Sequence, residues 1–179
     1  MDKRNTVYIA TSIDGFIADR NGGLDWLQSV PNPDQLDLGF AAFIESIDAI
    51  VMGRNTFDVV CSFDIDWPYT KPVFVLSRTL EAIPEKYITY AELVSGKPKD
   101  VLSIINNKGY NKLYIDGGAT IQGFLEEDLI DDLIISKIPI LLGGGAKLFS
   151  ELPKEISFEH IETKVLLGHI VQSHYSRVH

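Results

Sequence analysis

The sequence predicts an α/β domain with a mixed, mainly parallel central sheet flanked by helices and an antiparallel hairpin at its C-terminal edge. Three observations carry this expectation. Short, continuous apolar runs rich in β-branched and aromatic residues recur along the chain and stop at glycine or a small polar residue. Stretches of helical period separate them, the alternation expected of a parallel sheet. Residues 157–178 carry no helix-period face and turn at Gly168.

The first strand is Val7-Tyr8-Ile9-Ala10, followed by a turn at Asp14-Gly15. Residues 16–33, punctuated by Gly22, Gly23, Pro31 and Pro33, read as a long loop. Over residues 36–47 the apolar positions Leu36, Phe40, Phe43, Ile44 and Ile47 recur at helical spacing, with Asp34 as the N-cap, and predict an amphipathic helix. Ala49-Ile50-Val51-Met52 before Gly53 is the next strand, and residues 56–61 return to helix. Val73-Phe74-Val75-Leu76 before Ser77-Arg78 repeats the plan. Residues 98–107 read as a helix with Gly109 as its C-cap. Leu113-Tyr114-Ile115 then leads into Asp116-Gly117-Gly118 and a helix over residues 120–129. The hairpin joins residues 157–167 to residues 169–178.

The chain has 179 residues, 45% of them hydrophobic, which suits one domain spanning 1–179. A formal net charge of -9 repels phosphate backbones and anionic lipid, so neither nucleic acid nor a membrane is an expected partner. Cys61 is the only cysteine, which excludes an internal disulfide or multi-cysteine zinc site and fits a reducing cytoplasm. The opening residues, with only Val7 to Ala10 as an apolar run, read as neither signal peptide nor membrane span. His160, His169, His174 and His179 read as surface residues of the hairpin, joined by no carboxylate at ligand spacing, so no metal site is expected. Gly96-Lys97-Pro98 lacks both the hydroxyl and the upstream glycine of a phosphate loop.

In open α/β sheets ligands bind beyond the carboxyl ends of the strands, where glycine lets backbone approach a phosphate and a helix start can face it. Gly117-Gly118 meets that need, although Gly117 to Gly123 lacks the G-x-G-x-x-G spacing and Lys137 stands where an acid would mark an ordinary NAD site. Gly53-Arg54-Asn55-Thr56 repeats the device with a cation in the first helical turn, which opposes the helix dipole unless an anion lies near. Ser77-Arg78-Thr79 sets a guanidinium between two hydroxyls, suited to a phosphomonoester such as the 2′-phosphate of NADPH. Leu142-Gly143-Gly144-Gly145 holds more glycine than a turn requires, as for close approach of a ligand or a flexible lid.

Taken in order, Thr11-Ser12-Ile13-Asp14-Gly15-Phe16-Ile17-Ala18, Leu24-Asp25-Trp26, Met52-Gly53-Arg54-Asn55-Thr56, Leu76-Ser77-Arg78, Asp116-Gly117-Gly118-Ala119 and Pro139-Ile140-Leu141-Leu142-Gly143-Gly144-Gly145 resemble the dihydrofolate-reductase-like superfamily. The resemblance is closer to its riboflavin-biosynthesis reductase branch, the RibD C-terminal domain, and runs over nearly the whole chain. It implies a three-layer dihydrofolate-reductase-like fold, a cytoplasmic homodimer, and hydride transfer from NADPH to a C=N or C=O group of a pterin-like or ribosylaminopyrimidine-like substrate. It places Ala10 and Ile17 at the nicotinamide, Gly53, Arg54, Asn55, Thr56, Gly117, Gly118, Ala119, Thr120 and Ile121 at the phosphates, and Leu76, Ser77, Arg78 and Thr79 at the adenosine 2′-phosphate, with Leu142, Gly143 and Gly144 completing the cofactor site. The substrate pocket is expected between the first loop and the helix over residues 36–47, with Trp26 and Phe40 as walls and Asp37 as the carboxylate that grips the ring or delivers a proton. The other reading is a non-catalytic NADPH-binding module for sensing or interaction. A complete riboflavin-pathway enzyme would add a zinc deaminase, whose P-C-x-x-C segment a chain with one cysteine cannot supply.

Overall fold

The computed structural model describes residues 2–178; Met1 and His179 lie outside the described residues. The central sheet holds β1 (Arg4–Ser12), β3 (Ala49–Gly53), β4 (Val73–Leu76), β5 (Ala91–Val94), β6 (Lys112–Asp116), β7 (Asp132–Ile138), β9 (Phe158–Leu166) and β10 (Ile170–Arg177). Their order is β5-β4-β3-β6-β1-β7-β10-β9. Every pair from β5 to β7 is parallel, and β7 with β10 and β10 with β9 are antiparallel. β2 (Phe16–Ala18) and β8 (Ala146–Lys147) make a separate two-stranded ribbon.

Helices α1 (Phe40–Ser46), α2 (Arg54–Ser62), α3 (Pro98–Asn107) and α4 (Gly118–Glu126) flank the sheet. The parallel strands read as unbroken apolar runs because both of their faces are covered. On one face Val51, Phe74 and Ile115 pack with Val101 and Ile105 of α3 and Ile121 and Phe124 of α4. On the other, Ile50, Met52 and Val75 pack with Phe43 and Ile44 of α1 and Phe57 of α2. Each such large side chain, removed from water, contributes about 1.5–3 kcal/mol. The architecture is three-layered, with helices on both faces of a mixed, mainly parallel sheet, as the sequence predicts.

At the end of the sheet opposite the strand-end turns, buried Asp132 accepts hydrogen bonds from Arg4 and stands 2.9 Å from His174 Nε2. Arg177 and Lys154 likewise hold Asp128. These pairs tie the first strand, the hairpin and the loop after α4 together.

Three sequence expectations need correction. The helix predicted over residues 36–47 begins only at Phe40. Gln35, Leu38 and Gly39 take positive φ of 50°, 57° and 90°, and the Asn32 side chain both donates to and accepts from the backbone of Leu36, closing a loop where the periodicity suggested helix. Leu36 is consequently 55% exposed. Asp34 is not the cap; the Asp37 carboxylate accepts from the amides of Gly39 and Ala41 at 3.1 and 2.9 Å. Strands β5 and β7 went unpredicted, the first because Ala91-Glu92-Leu93-Val94 is short and interrupted by a charge, the second because Ser136-Lys137 breaks its apolar run. The loop over residues 16–33 contains β2 and a 3-10 turn at Asp25–Gln28.

Candidate active site

The parallel strands β1, β3, β4 and β6 all end on one side of the molecule, so their terminal turns border a common groove of about 1060 Å³. That lies at the upper end of ordinary ligand pockets and leaves room for a dinucleotide together with part of a second ligand. Ala10 and Ile17 line one end, Gly53, Asn55, Thr56, Gly117, Ala119 and Thr120 the middle, and Leu76, Ser77 and Arg78 the other end. Gly96 and Pro98, which the sequence excluded as a phosphate loop, also border it because β5 ends beside β4. The structure therefore gathers four sequence-distant turns into one site.

The middle is built by two strand-to-helix turns that interlock. A Cβ on Gly117 would lie 2.5 Å from Oγ1 of Thr56, and a Cβ on Gly53 would lie 2.7 Å from Oγ1 of Thr120. A Cβ on Gly118 would lie 2.8 Å from Cδ1 of Ile17. Gly117 additionally has φ of 95°, which disfavours any other residue. Neither α2 nor α4 has a side chain capping its first turn, so two helix starts with free amide donors sit side by side. Their donors and dipoles form a natural site for a diphosphate.

Arg54 Nη1 donates to Thr79 Oγ1 at 3.3 Å and its Nε reaches Asp58 at 3.4 Å. Arg78 is exposed, and among the described residues no ion pair holds its guanidinium. Buried Ser77 turns its hydroxyl oxygen onto the amides of Thr79 and Leu80, which fixes the loop that presents Arg78.

Asp116 is the titratable carboxylate of the groove, at a position where the sequence pointed only to a strand-end turn. It closes β6 at the floor of the groove. Burial pushes its pKa up to about 6, against the opposing hydrogen bonds from the Gly117 amide and the Tyr114 hydroxyl. The same hydroxyl donates to the Tyr8 carbonyl at 3.0 Å, so its one proton is shared between two acceptors when Asp116 is ionised. Tyr69, another groove residue, has its phenol pushed up by burial and further by the charge of Asp116. The signal in the sequence is a carboxylate that follows the apolar run Leu113-Tyr114-Ile115 and immediately precedes two glycines.

Other predicted site residues fall elsewhere. Trp26 is 7% exposed, packs with Val30, Ile138 and Ile170, and donates its indole N–H to the Gly23 carbonyl. Phe40 packs against Tyr8 and Tyr114, and Tyr8 stacks on Phe43, so aromatic rings fill the space between β1 and α1. Asp37 is exposed, and the two amides it caps hold its carboxyl below the usual carboxylate range. Ile121 is fully buried beneath the groove. Leu142 and Gly143 donate their amides to the Asp14 carboxylate, and the Gly143 carbonyl accepts from Arg20. Gly145 packs against the Ala18 carbonyl and Gly144 against Arg20, so this glycine run serves contact with the first loop. None of Trp26, Asp37, Phe40, Thr79, Ile121, Leu142, Gly143 and Gly144 borders the groove; Thr79 instead accepts from Arg54 at its edge.

A three-layer sheet of this order, with a groove across glycine-marked strand ends and a half-buried carboxylate at its floor, has the dihydrofolate-reductase-like fold. More narrowly, residues 5–170 match the RibD C-terminal domain, and the chain belongs to that family. It is 55% identical to a Shewanella sp. PV-4 protein, provisionally described as a riboflavin biosynthesis protein, whose crystal structure superposes with a TM-score of 0.96 over 98% of this chain and 99% of that one. A Thermotoga maritima deaminase and 5-amino-6-(5-phosphoribosylamino)uracil reductase is 13% identical with a TM-score of 0.76, covering 99% of this chain and 57% of that one. Dihydrofolate reductase from Enterococcus faecalis, solved with NADP(H) and the ligand RAB-propyl, is 16% identical with a TM-score of 0.68 over 97% of this chain and 96% of that one. At such low identity the last two bear on the fold alone.

Proposed function

We propose that the chain is an NADPH-dependent reductase acting on a C=N or C=O group of a small heterocycle. The observation that carries this reading is the continuity of the groove from the uncapped starts of α2 and α4 to the protonatable Asp116. The residues present fit NADPH. Gly53, Gly117 and Gly118 leave a cradle that Cβ atoms would fill, and Arg78 is an uncommitted cation at the far end. The helix starts, with Thr56 and Thr120, hold the diphosphate; Ser77, Arg78 and Thr79 hold the 2′-phosphate; Ala10 and Ile17 flank the nicotinamide.

NADPH, when bound, supplies a hydride. Asp116 supplies the accompanying proton: its carboxyl, neutral below about pH 6, protonates the nitrogen or oxygen of the acceptor's C=N or C=O as that carbon receives the hydride. The Gly117 amide and the Tyr114 hydroxyl then hold the carboxylate left behind, and the open groove lets it be reprotonated from water. A cytoplasmic homodimer, with neither nucleic acid nor membrane as partner, completes the proposal; among the described residues no helix is long and apolar enough to cross a membrane.

The test is cofactor selection. NADPH should bind more tightly than NADH, and Arg78→Ala should remove about 1.5–3 kcal/mol of that difference, a charge-assisted hydrogen bond. Equal affinities in the unaltered protein would sink the assignment of Arg78. Steady NADPH oxidation with an acceptor distinguishes a reductase from a non-catalytic binding module.

A further inference from the structure

The groove does not end at the nicotinamide position. It continues along the face of the sheet that carries Asp116, between the first loop and the outer end of α2. There its walls are Leu24, Leu27, Val59, Val60, Phe63 and Tyr69. Val59 and Phe63 lie one helical turn apart and are 37% and 46% exposed, so they are apolar side chains standing open to the groove.

The charges are distributed unevenly. Among the groove residues the cations are Arg54, Arg78 and Lys147, and Asp116 is the only carboxylate. Arg54 is tied to Thr79 beside the end of β4, Arg78 follows that same strand, and Lys147 stands on β8 opposite Phe16, with its carbonyl bonded to Gln122 of α4. All three belong to the side assigned to the cofactor. Between Arg54 and Lys71 the chain contains no Lys, Arg or His, while Asp58, Asp64 and Asp66 are present. Lys71 is turned toward the Glu45 carbonyl at the end of α1. The segment that supplies Phe63 and Tyr69 is thus apolar and acidic.

A phosphate placed there would lose its hydration without gaining a cation, and the carboxylate it would meet is Asp116. An uncharged ring would instead cover the exposed apolar walls and could meet Asp116 by a hydrogen bond. We infer that the hydride acceptor is an uncharged, unphosphorylated heterocycle, and that this chain selects against the phosphoribosyl form of a ribosylaminopyrimidine. The inference rests on the reductase reading above and names the substrate class of that same site.

The test uses the NADPH-loaded protein and a matched pair, a ribosylaminopyrimidine with and without its 5′-phosphate, with affinities measured by calorimetry and turnover by NADPH absorbance. The unphosphorylated member should bind at least tenfold more tightly, and Phe63→Arg should narrow that gap at least tenfold by adding a cation to the wall. Equal or tighter binding of the phosphorylated member would overturn the inference, as would failure of both to bind a protein that binds NADPH. Failure to bind NADPH itself, measured first and separately, would remove the reductase reading beneath it.

Discussion

Gly117 and Thr56 meet across the floor of the groove so closely that a single added methyl on the glycine would come within 2.5 Å of the threonine hydroxyl. The reciprocal approach of Gly53 to Thr120, at 2.7 Å, locks the same two turns a second time. The glycines that line the groove are therefore also the condition for bringing two helix starts together.

Gly53 separates sterics from backbone strain, because its φ of -73° is open to alanine. Gly53→Ala should lower stability by about 1–3 kcal/mol through overpacking. Thr120→Ala in the same chain, by removing Oγ1, should restore at least half of that loss in denaturant titrations. If the double variant is as unstable as the sum of the singles, the interlock is not what the glycine serves.

Asp116 gives a pH dependence with a definite sign. Its folded pKa of about 6 is raised above the ordinary 3.8, so the folded state binds more protons between those values and loses stability as pH rises through the window. Asp116→Asn should therefore stabilise the chain at pH 8, by on the order of 1–3 kcal/mol, and leave it nearly unchanged at pH 4. Once an acceptor is known, turnover should fall as pH rises above about 6, and the variant should lose both that limb and most of its rate. A variant with unaltered turnover would take the proton-donor role from Asp116.

Asp37 separates capping from catalysis. Replacing its carboxylate, as in Asp37→Ala, should lower stability measurably in denaturant titrations through loss of the hydrogen bonds it accepts from Gly39 and Ala41. NADPH affinity and turnover should stay within twofold of the parent. A large loss of turnover with stability unchanged would return Asp37 to the substrate site.

The strand-end turns were legible because apolar runs and glycines are local signals: Gly53, Ser77 and Gly117 fall where the sequence set them, at the ends of β3, β4 and β6. Residues 98–107 form α3 with the predicted bounds, and Gly109 has the positive φ of a C-cap. The start of the helix on the expected acceptor side was not legible, because period is not conformation. Leu36 and Phe40 share helical spacing, but Pro31, Pro33 and the Asn32 loop keep residues 31–39 out of helix, and the aromatic rings of Tyr8 and Phe43 then close that space. Nothing local announced that Phe63 and Tyr69 would face the site, since both lie between the predicted helix over residues 56–61 and the strand beginning at Val73. The roles of Asp116 and of the Asp14 contact with Gly143 depend on contacts between segments far apart in the chain.

The position of β1 bears on how this chain acquires its structure. Its partners are β6, with Arg4 opposite Lys112, and β7, with Thr6 opposite Asp132. A nascent chain must therefore reach the second half of its length before its first strand finds either neighbour, while β3, β4 and β5 can already align. Closure of the centre falls late and joins residues more than a hundred positions apart, the kind of topology that folds slowly because loop entropy must be overcome before the contacts form. Until then Val7 and Ile9 lack the cover that Leu113, Ile115, Leu133 and Ile135 give them, which leaves apolar surface open to aggregation during early synthesis.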